Sequence, residues 1–124
     1  ECELGNNVFI GPFVEITKGV KIGHNTKISS HSFLCELVEI GESCFISHGV
    51  MFTNDLFKSG KLGGGIKNWH STSIGNNVII GSNATILPIK ICDGCVIGAG
   101  SVVTKDLKIK GIYAGNPAKL FRKL

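Results

Sequence analysis

Aromatic residues are scarce, at 7% of 124 residues, and proline occurs only three times. No apolar run approaches the ~18 residues that a membrane-spanning helix requires, so no transmembrane helix is expected. Lysine and arginine outnumber the acids 13 to 9, but nowhere in a run dense enough to grip nucleic acid. No secretory leader is visible. The five cysteines are an odd number, which predicts reduced thiols and a cytoplasmic setting rather than a disulfide framework. Cys92-Asp-Gly-Cys95 has the spacing of half a zinc knuckle, yet no second pair follows it, so no metal site is predicted. The length bounds the chain to a single domain. What the sequence has instead is glycine, 17 residues of it, which points to many tight turns and small interior side chains.

Those glycines keep time with an aliphatic beat. Leu4, Ile10, Ile16, Ile22, Ile28, Leu34, Ile40, Ile46 and Phe52 stand six residues apart. After an interruption the beat resumes at Ile74, Ile80 and Ile86, then at Ile91, Ile97, Val103 and Ile109. A helix cannot use a period of six, because such positions wander around its 3.6-residue turn. A strand of two or three residues followed by a turn can. Glycine often follows the aliphatic, as at Gly5, Gly23 and Gly81, and the position four after it is small or β-branched, as at Val14, Thr26 and Ala84. Asn and Asp-Gly mark corners where positive φ costs little. Each hexad thus makes one flat side with two inward residues, and three sides close a triangular coil of about 18 residues, stacked at a spacing of about 4.8 Å. Cys44 and Cys95 fall at the small inward position, and Cys35 and Cys92 where glycine often stands; all four are expected to pack rather than react. Ile86 to Ile91 is a step of five, so the coil containing Pro88 is one residue short.

The stretch "IGAGSVVTKD…AGNPAK" near the end resembles the bacterial hexapeptide-repeat acyltransferases, and the likeness runs over nearly the whole chain. The resemblance implies an all-β, left-handed parallel β-helix, a homotrimer, and acetyl-coenzyme A as co-substrate. The β-helix is expected over residues 1–115, with a loop inserted at about 55–73. Beyond it, Asn116 can cap a helix and Pro117 suits its first position, so residues 116–124 are read as a short basic terminal helix closing the stack.

The loop interrupts a regular coil with Phe57, Leu62, Ile66 and Trp69 on a chain made pliable by Gly60 and Gly63–Gly65. Aromatics on such a loop need something to pack on, and a neighbouring subunit would supply it. Column arithmetic gathers polar residues at its root. Residues 18 apart share a column, so Glu36 lies under Asn54 and Ser30 under His48, with His31 and Asp55 beside them. The site is expected between subunits, since the outward column at Asn54 has no evident partner in its own chain.

The segments "SHSFLCE" and "HGVMFTND" look like the nucleotide-linked 3-amino-sugar N-acetyltransferases of bacterial surface polysaccharide synthesis. Relatives that acetylate sugar hydroxyls carry a Thr-x-His-Pro here, with the histidine as general base. This chain has Thr53-Asn54-Asp55-Leu56. An amine is already nucleophilic, so positioning and charge stabilisation can replace that base. Asn54, His48 and Asp55 are accordingly the candidate catalytic residues, with His31 and Glu36 toward the sugar. The resemblance places cofactor contacts at Ser82, Ala99, Thr104, Lys105, Lys119 and Arg122. The rival readings are O-acetylation of a sugar or small alcohol and, from another class, a non-catalytic solenoid or a carbonic-anhydrase-like metal protein drawing on His24, His31, His48 and His70.

Overall fold

A computed structural model describes residues 1–62 and 65–124, with Ile66 lacking a described side chain. Gly63, Gly64 and the packing of Ile66, assigned above to the loop, lie outside the described residues. Short parallel strands stack on three sides of a prism of about six turns, a left-handed parallel β-helix. The first side holds Glu3–Leu4, Lys21–Ile22, Val38–Ile40, Thr72–Ile74 and Lys90–Ile91. The second holds Phe9–Ile10, Lys27–Ile28, Phe45–Ile46, Ile79–Ile80, Val96–Ile97, Gly111–Ala114 and Lys119–Lys123. The third holds Glu15–Ile16, Phe33–Leu34, Met51–Phe52, Thr85–Ile86 and Val102–Val103.

The beat sets the register. Ile22, Ile40, Ile74 and Ile91 are successive partners on the first side, and Ile28, Ile46, Ile80 and Ile97 on the second. In the inner coils these residues are almost wholly buried, together with Val20, Val38, Val50, Val78 and Ala84 at the small inward position. The buried hydroxyls of Thr26 and Ser32 are satisfied within the stack, whereas Thr72 Oγ1 has no partner among the described residues. Thr26 Oγ1 donates to the Gly41 carbonyl at 2.8 Å and accepts from Cys44 N–H at 3.1 Å. Corners turn through one left-handed residue each, at Asn7, Asn25, Asn77 and Asn83, with Gly49 and Gly100 in equivalent places. Glycine at the residue after the aliphatic is enforced by stacking, since a Cβ on Gly81 would stand 2.5 Å from the Ala99 backbone nitrogen.

Two expectations need correcting. The terminal segment is no helix: Lys119–Lys123 is a strand running antiparallel to Gly111–Ala114. A helix over residues 116–124 is below the length that sustains itself in water. The last parallel strand offers a row of unpaired backbone groups that an extended segment satisfies. Ile109 is also not an inward residue. Leu107 bridges Ile91 and is 7% exposed, whereas Ile109 is 51% exposed. The step from the third side to the first shortens up the stack: six residues from Leu34 to Ile40, five from Ile86 to Ile91, four from Val103 to Leu107. The Asp106 carboxylate fills the last gap by accepting from Lys90 N–H at 2.9 Å.

The cysteines sit as expected: Cys35, Cys44 and Cys95 are buried, Cys92 half-buried and Cys2 exposed, all as free thiols. Desolvation pushes the thiols of Cys35 and Cys95 up from an ordinary 9.0 to about 11, and Cys44 moves the same way. The folded state holds these protons more tightly than the unfolded chain does. Their contribution to stability is therefore complete below pH 9.0 and is lost as pH rises toward about 11. The melting temperature should stay level up to pH 9.0 and fall from there toward about 11. A thiol reagent at about pH 8 should find Cys2 first. Cys35, Cys44 and Cys95 should react only with denaturant, and rapid native-state reaction of all five thiols would contradict the packing.

Candidate active site

The candidate residues fall at the two corners that bound the third side. At the corner between the second and third sides, Ser30, His48, Ser82 and Ala99 form one column. Successive backbone bonds fix it: Gly49 N–H donates to the Ser30 carbonyl and Asn83 N–H to that of His48, each at 2.9 Å, and Gly100 N–H to that of Ser82 at 2.8 Å. The Ser30 hydroxyl lies 2.9 Å from His48 Nδ1, so the predicted column is joined by its side chains too. With Nδ1–H donating to Ser30 Oγ, Nε2 is left open to solvent as a proton acceptor. Above the exposed imidazole the column narrows to a serine and an alanine.

His31 stands in the next column, with Phe13 below it and Gly49 above. Its φ is 65°, the left-handed region, at a position taken by Gly49 and Asn83 in later coils. A histidine there bears a steric cost that glycine escapes. Stacking on Phe13, with ring centroids 5.2 Å apart, offsets part of it.

The corner between the third and first sides holds Glu36, Asn54 and Asp55, with Thr104 and Lys105 further up. Asn54 Nδ2 donates to the Glu36 carbonyl at 3.2 Å. The predicted column is therefore present, but the premise that Asn54 lacks a partner in its own chain is wrong. The bond is informative in itself. A carbonyl can only accept, so the amide nitrogen is committed downward and Asn54 Oδ1 remains free to accept from an incoming N–H. Asp55 Oδ1 accepts from Phe57 N–H at 2.8 Å and begins the loop with a tight turn. The two legs of the loop are tied where His70 N–H donates to the Asn54 carbonyl at 2.8 Å.

Within one chain, then, the His48 and Asn54 groups are not one cluster. The flat third side, with Phe33, Met51, Thr85 and Val102 facing out, separates them. The expected cofactor residues divide likewise. Ser82 and Ala99 share the His48 corner, and Lys119, paired with Ala114, stands at its upper end. Arg122 pairs with Ile112 further along the second side, on a strand rather than the expected helix. Of the histidines proposed for a metal reading, His24 Nδ1 accepts from Asn6 N–H at 2.7 Å, and no group of three metal-ligating side chains occurs among the described residues. The sulfurs of Cys92 and Cys95 lie 3.3 Å apart. What sequence reading missed is a set of loop lysines, Lys58, Lys61 and Lys67, around a cavity of about 230 Å³. Their irregular spacing gave no periodic signal; only the fold of the loop brings them together.

Hexads wound into a three-sided coil, with polar residues set at the corners, define the class of hexapeptide-repeat proteins. Two family models agree: "Bacterial transferase hexapeptide (six repeats)" matches residues 1–35, and "Hexapeptide repeat of succinyl-transferase" matches residues 71–105. The chain belongs to the hexapeptide-repeat transferase family. It is 35% identical over 121 residues to the bifunctional protein GlmU of Streptococcus uberis, covering 97% of this chain but 24% of that protein. The chain thus spans about a quarter of the length of that curated relative. Among solved structures, a maltose O-acetyltransferase from Clostridium difficile 630 superposes with a TM-score of 0.85 at 27% identity, over 98% of this chain and 69% of that one. A galactoside acetyltransferase in complex with coenzyme A gives 0.83 at 30% identity, over 98% and 64%. AntD, an N-acyltransferase from Bacillus cereus solved with dTDP and coenzyme A, gives 0.71 at 23% identity, over 98% and 83%.

Proposed function

We propose that this chain transfers the acetyl group of acetyl-coenzyme A to the amine of a nucleotide-linked amino sugar, as a homotrimer with its sites between subunits. The observation that carries the acetyl-transfer reading is the corner where two small residues, Ser82 and Ala99, stack above an anchored, exposed His48. An extended pantetheine arm would lie against backbone along such a column, with Lys119 at the end where its phosphates would lie. The related galactoside acetyltransferase binds coenzyme A, which agrees with a donor of this kind.

The distribution of outward side chains supports assembly through the second and third sides. The first side is charged: Glu3, Lys21, Glu39 and Lys90 face out, and Lys21 meets Glu39 at 3.6 Å. The second and third expose Phe9, Phe45, Ile79 and Met51. Such apolar faces favour burial against a second copy. Pairing the His48 corner of one protomer with the Asn54 corner and loop of its neighbour brings together what the third side keeps apart in one chain.

In the assembled site Asn54 Oδ1 accepts from the sugar amine and aims its lone pair at the thioester carbonyl. A C–N bond forms, the oxyanion collapses, and the C–S bond breaks with the electron pair leaving on sulfur. The ammonium proton passes to His48 Nε2 or to the departing thiolate. His31 and Glu36 face the sugar, and Thr104 and Lys105 stand by the donor from the far corner. The amine is favoured over a hydroxyl acceptor because Asp55, and no histidine, follows Thr53-Asn54 where Thr-x-His-Pro would carry its base, and AntD, of the same fold, is an N-acyltransferase. Because O-acetyltransferases share the fold, the test is a panel. Thiol release from acetyl-coenzyme A is followed with nucleotide-linked amino sugars, their hydroxyl counterparts, and free sugars. Turnover confined to the nucleotide-linked amines is expected; preference for hydroxyl acceptors would overturn the reading.

A further inference from the structure

The inserted loop holds a cationic cavity that the donor reading leaves unused. Its volume is about 230 Å³, and Asp55, Phe57, Lys58, Lys61, Lys67 and His70 are among the residues that line it. Three lysines face one carboxylate, and that carboxylate already accepts from Phe57 N–H. Among the described residues none of the three lysines is within ion-pair distance of an acid. Three lysines around one small space set up a positive potential there, which favours an anionic occupant.

The position of the cavity is specific. It begins at Asp55, directly after Asn54, and its far leg is fastened to the Asn54 carbonyl through His70. An anion there sits next in the chain to the group that holds the amine. Phe57, 55% exposed, offers an open ring face at the wall, suited to stacking on a nucleobase. Lys119 belongs to the other corner, so the two anionic substrates would have separate cation groups and would not compete for one.

We propose that this cavity binds the diphosphate of the nucleotide-linked acceptor, with Lys58, Lys61 and Lys67 as its ligands. The proposal rests on the acceptor reading given above. Coenzyme A also carries a diphosphate, so the test must tell the two sources apart. Binding of UDP, dTDP, GDP, coenzyme A and inorganic pyrophosphate is measured by calorimetry on the intact protein and on the variants Lys58→Ala/Lys61→Ala/Lys67→Ala and Lys58→Arg/Lys61→Arg/Lys67→Arg. The alanine variant should bind its preferred nucleoside diphosphate about 100-fold more weakly, with coenzyme A affinity and melting temperature unchanged. The arginine variant should recover most of the loss, because charge rather than shape is what it restores. Unchanged nucleoside diphosphate affinity in the alanine variant would overturn the cavity's role while leaving amine acetylation standing. Loss of coenzyme A affinity instead would reassign the lysines to the donor and equally overturn it, as would failure of the intact protein to bind any nucleoside diphosphate. Acetylation of free amino sugars as efficient as that of nucleotide-linked ones would instead defeat the acceptor reading itself.

Discussion

Asn54→Ala should lower kcat/KM for acetyl transfer by about 100- to 1,000-fold, the cost of removing one preorganised polar group from the reacting centre. The fold should scarcely notice. The side chain is half-buried and makes one bond, to the Glu36 carbonyl at 3.2 Å, so its loss costs about 1 kcal/mol. The contrast between variants is sharper than the size of the effect. Asn54→Asp keeps shape and an acceptor oxygen but loses the donor to Glu36, and it sets a negative charge against a carbonyl. It should fold less well than the alanine variant yet retain some affinity for the amine. His48→Ala should cost less than Asn54→Ala, because the departing thiolate can take the proton in its place. Wild-type turnover by Asn54→Ala, measured as thiol release, would remove Asn54 from the mechanism. Equal losses in turnover and in melting temperature would make it a structural residue of the loop root.

The period of six was enough to read the coil, and the spacing of 18 was enough to predict two columns that the structure contains: Ser30 and His48, joined side chain to side chain, and Glu36 under Asn54, joined through the Glu36 backbone carbonyl. Both are local consequences of a regular stack, which is why they were legible. The failures share a different cause. Asn116-Pro117 carries a local helix-start signal, but the fate of "KLFRK" was decided by a distant event, the exposure of an open strand edge at Gly111–Ala114. Ile109 keeps the beat in sequence and loses it in space, because the coil shortens to a step of four after Val103 and Leu107 takes the inward place. That shortening depends on Asp106 capping Lys90 across coils, and nothing nearby in sequence announces it. The separation of His48 from Asn54 by a whole side was available from the hexad count. It bears on function most, since it divides a presumed cluster between two corners of the prism. The left-handed backbone at His31 and the lysine cavity of the loop were not readable, because both depend on where a non-repeating chain folds back.

Phe52→Ala should be the most damaging single truncation in the core, costing about 3–5 kcal/mol and lowering the melting temperature by about 10–20 °C. Phe52 is the bulkiest of the fully buried side chains among the described residues, 1% exposed in a column otherwise filled by Ile16, Leu34, Ile86 and Val103. Rigid ladders on all three sides prevent collapse around the void, so the cavity term is felt in full. In a stacked repeat the loss falls on the interfaces with both neighbouring coils, and it falls midway up the prism where no end can fray to absorb it. Phe52→Leu should recover most of the stability, because leucine already serves that column one coil below. The same residue is the last fixed point before Thr53 and Asn54 leave the coil. Its truncation should therefore reduce turnover even at temperatures where the variant is folded, whereas Ile28→Ala, equally buried on the second side, should destabilise the protein by about 2–5 kcal/mol and leave turnover per folded molecule intact. Thermal melts and thiol-release rates on the two variants decide the matter. A loss under about 1 kcal/mol for Phe52→Ala would mean that the column is not packed as described. Equal turnover in both would mean that the loop root takes its position from its own hydrogen bonds, His70 to Asn54 and Asn54 to Glu36, and not from the core beneath it.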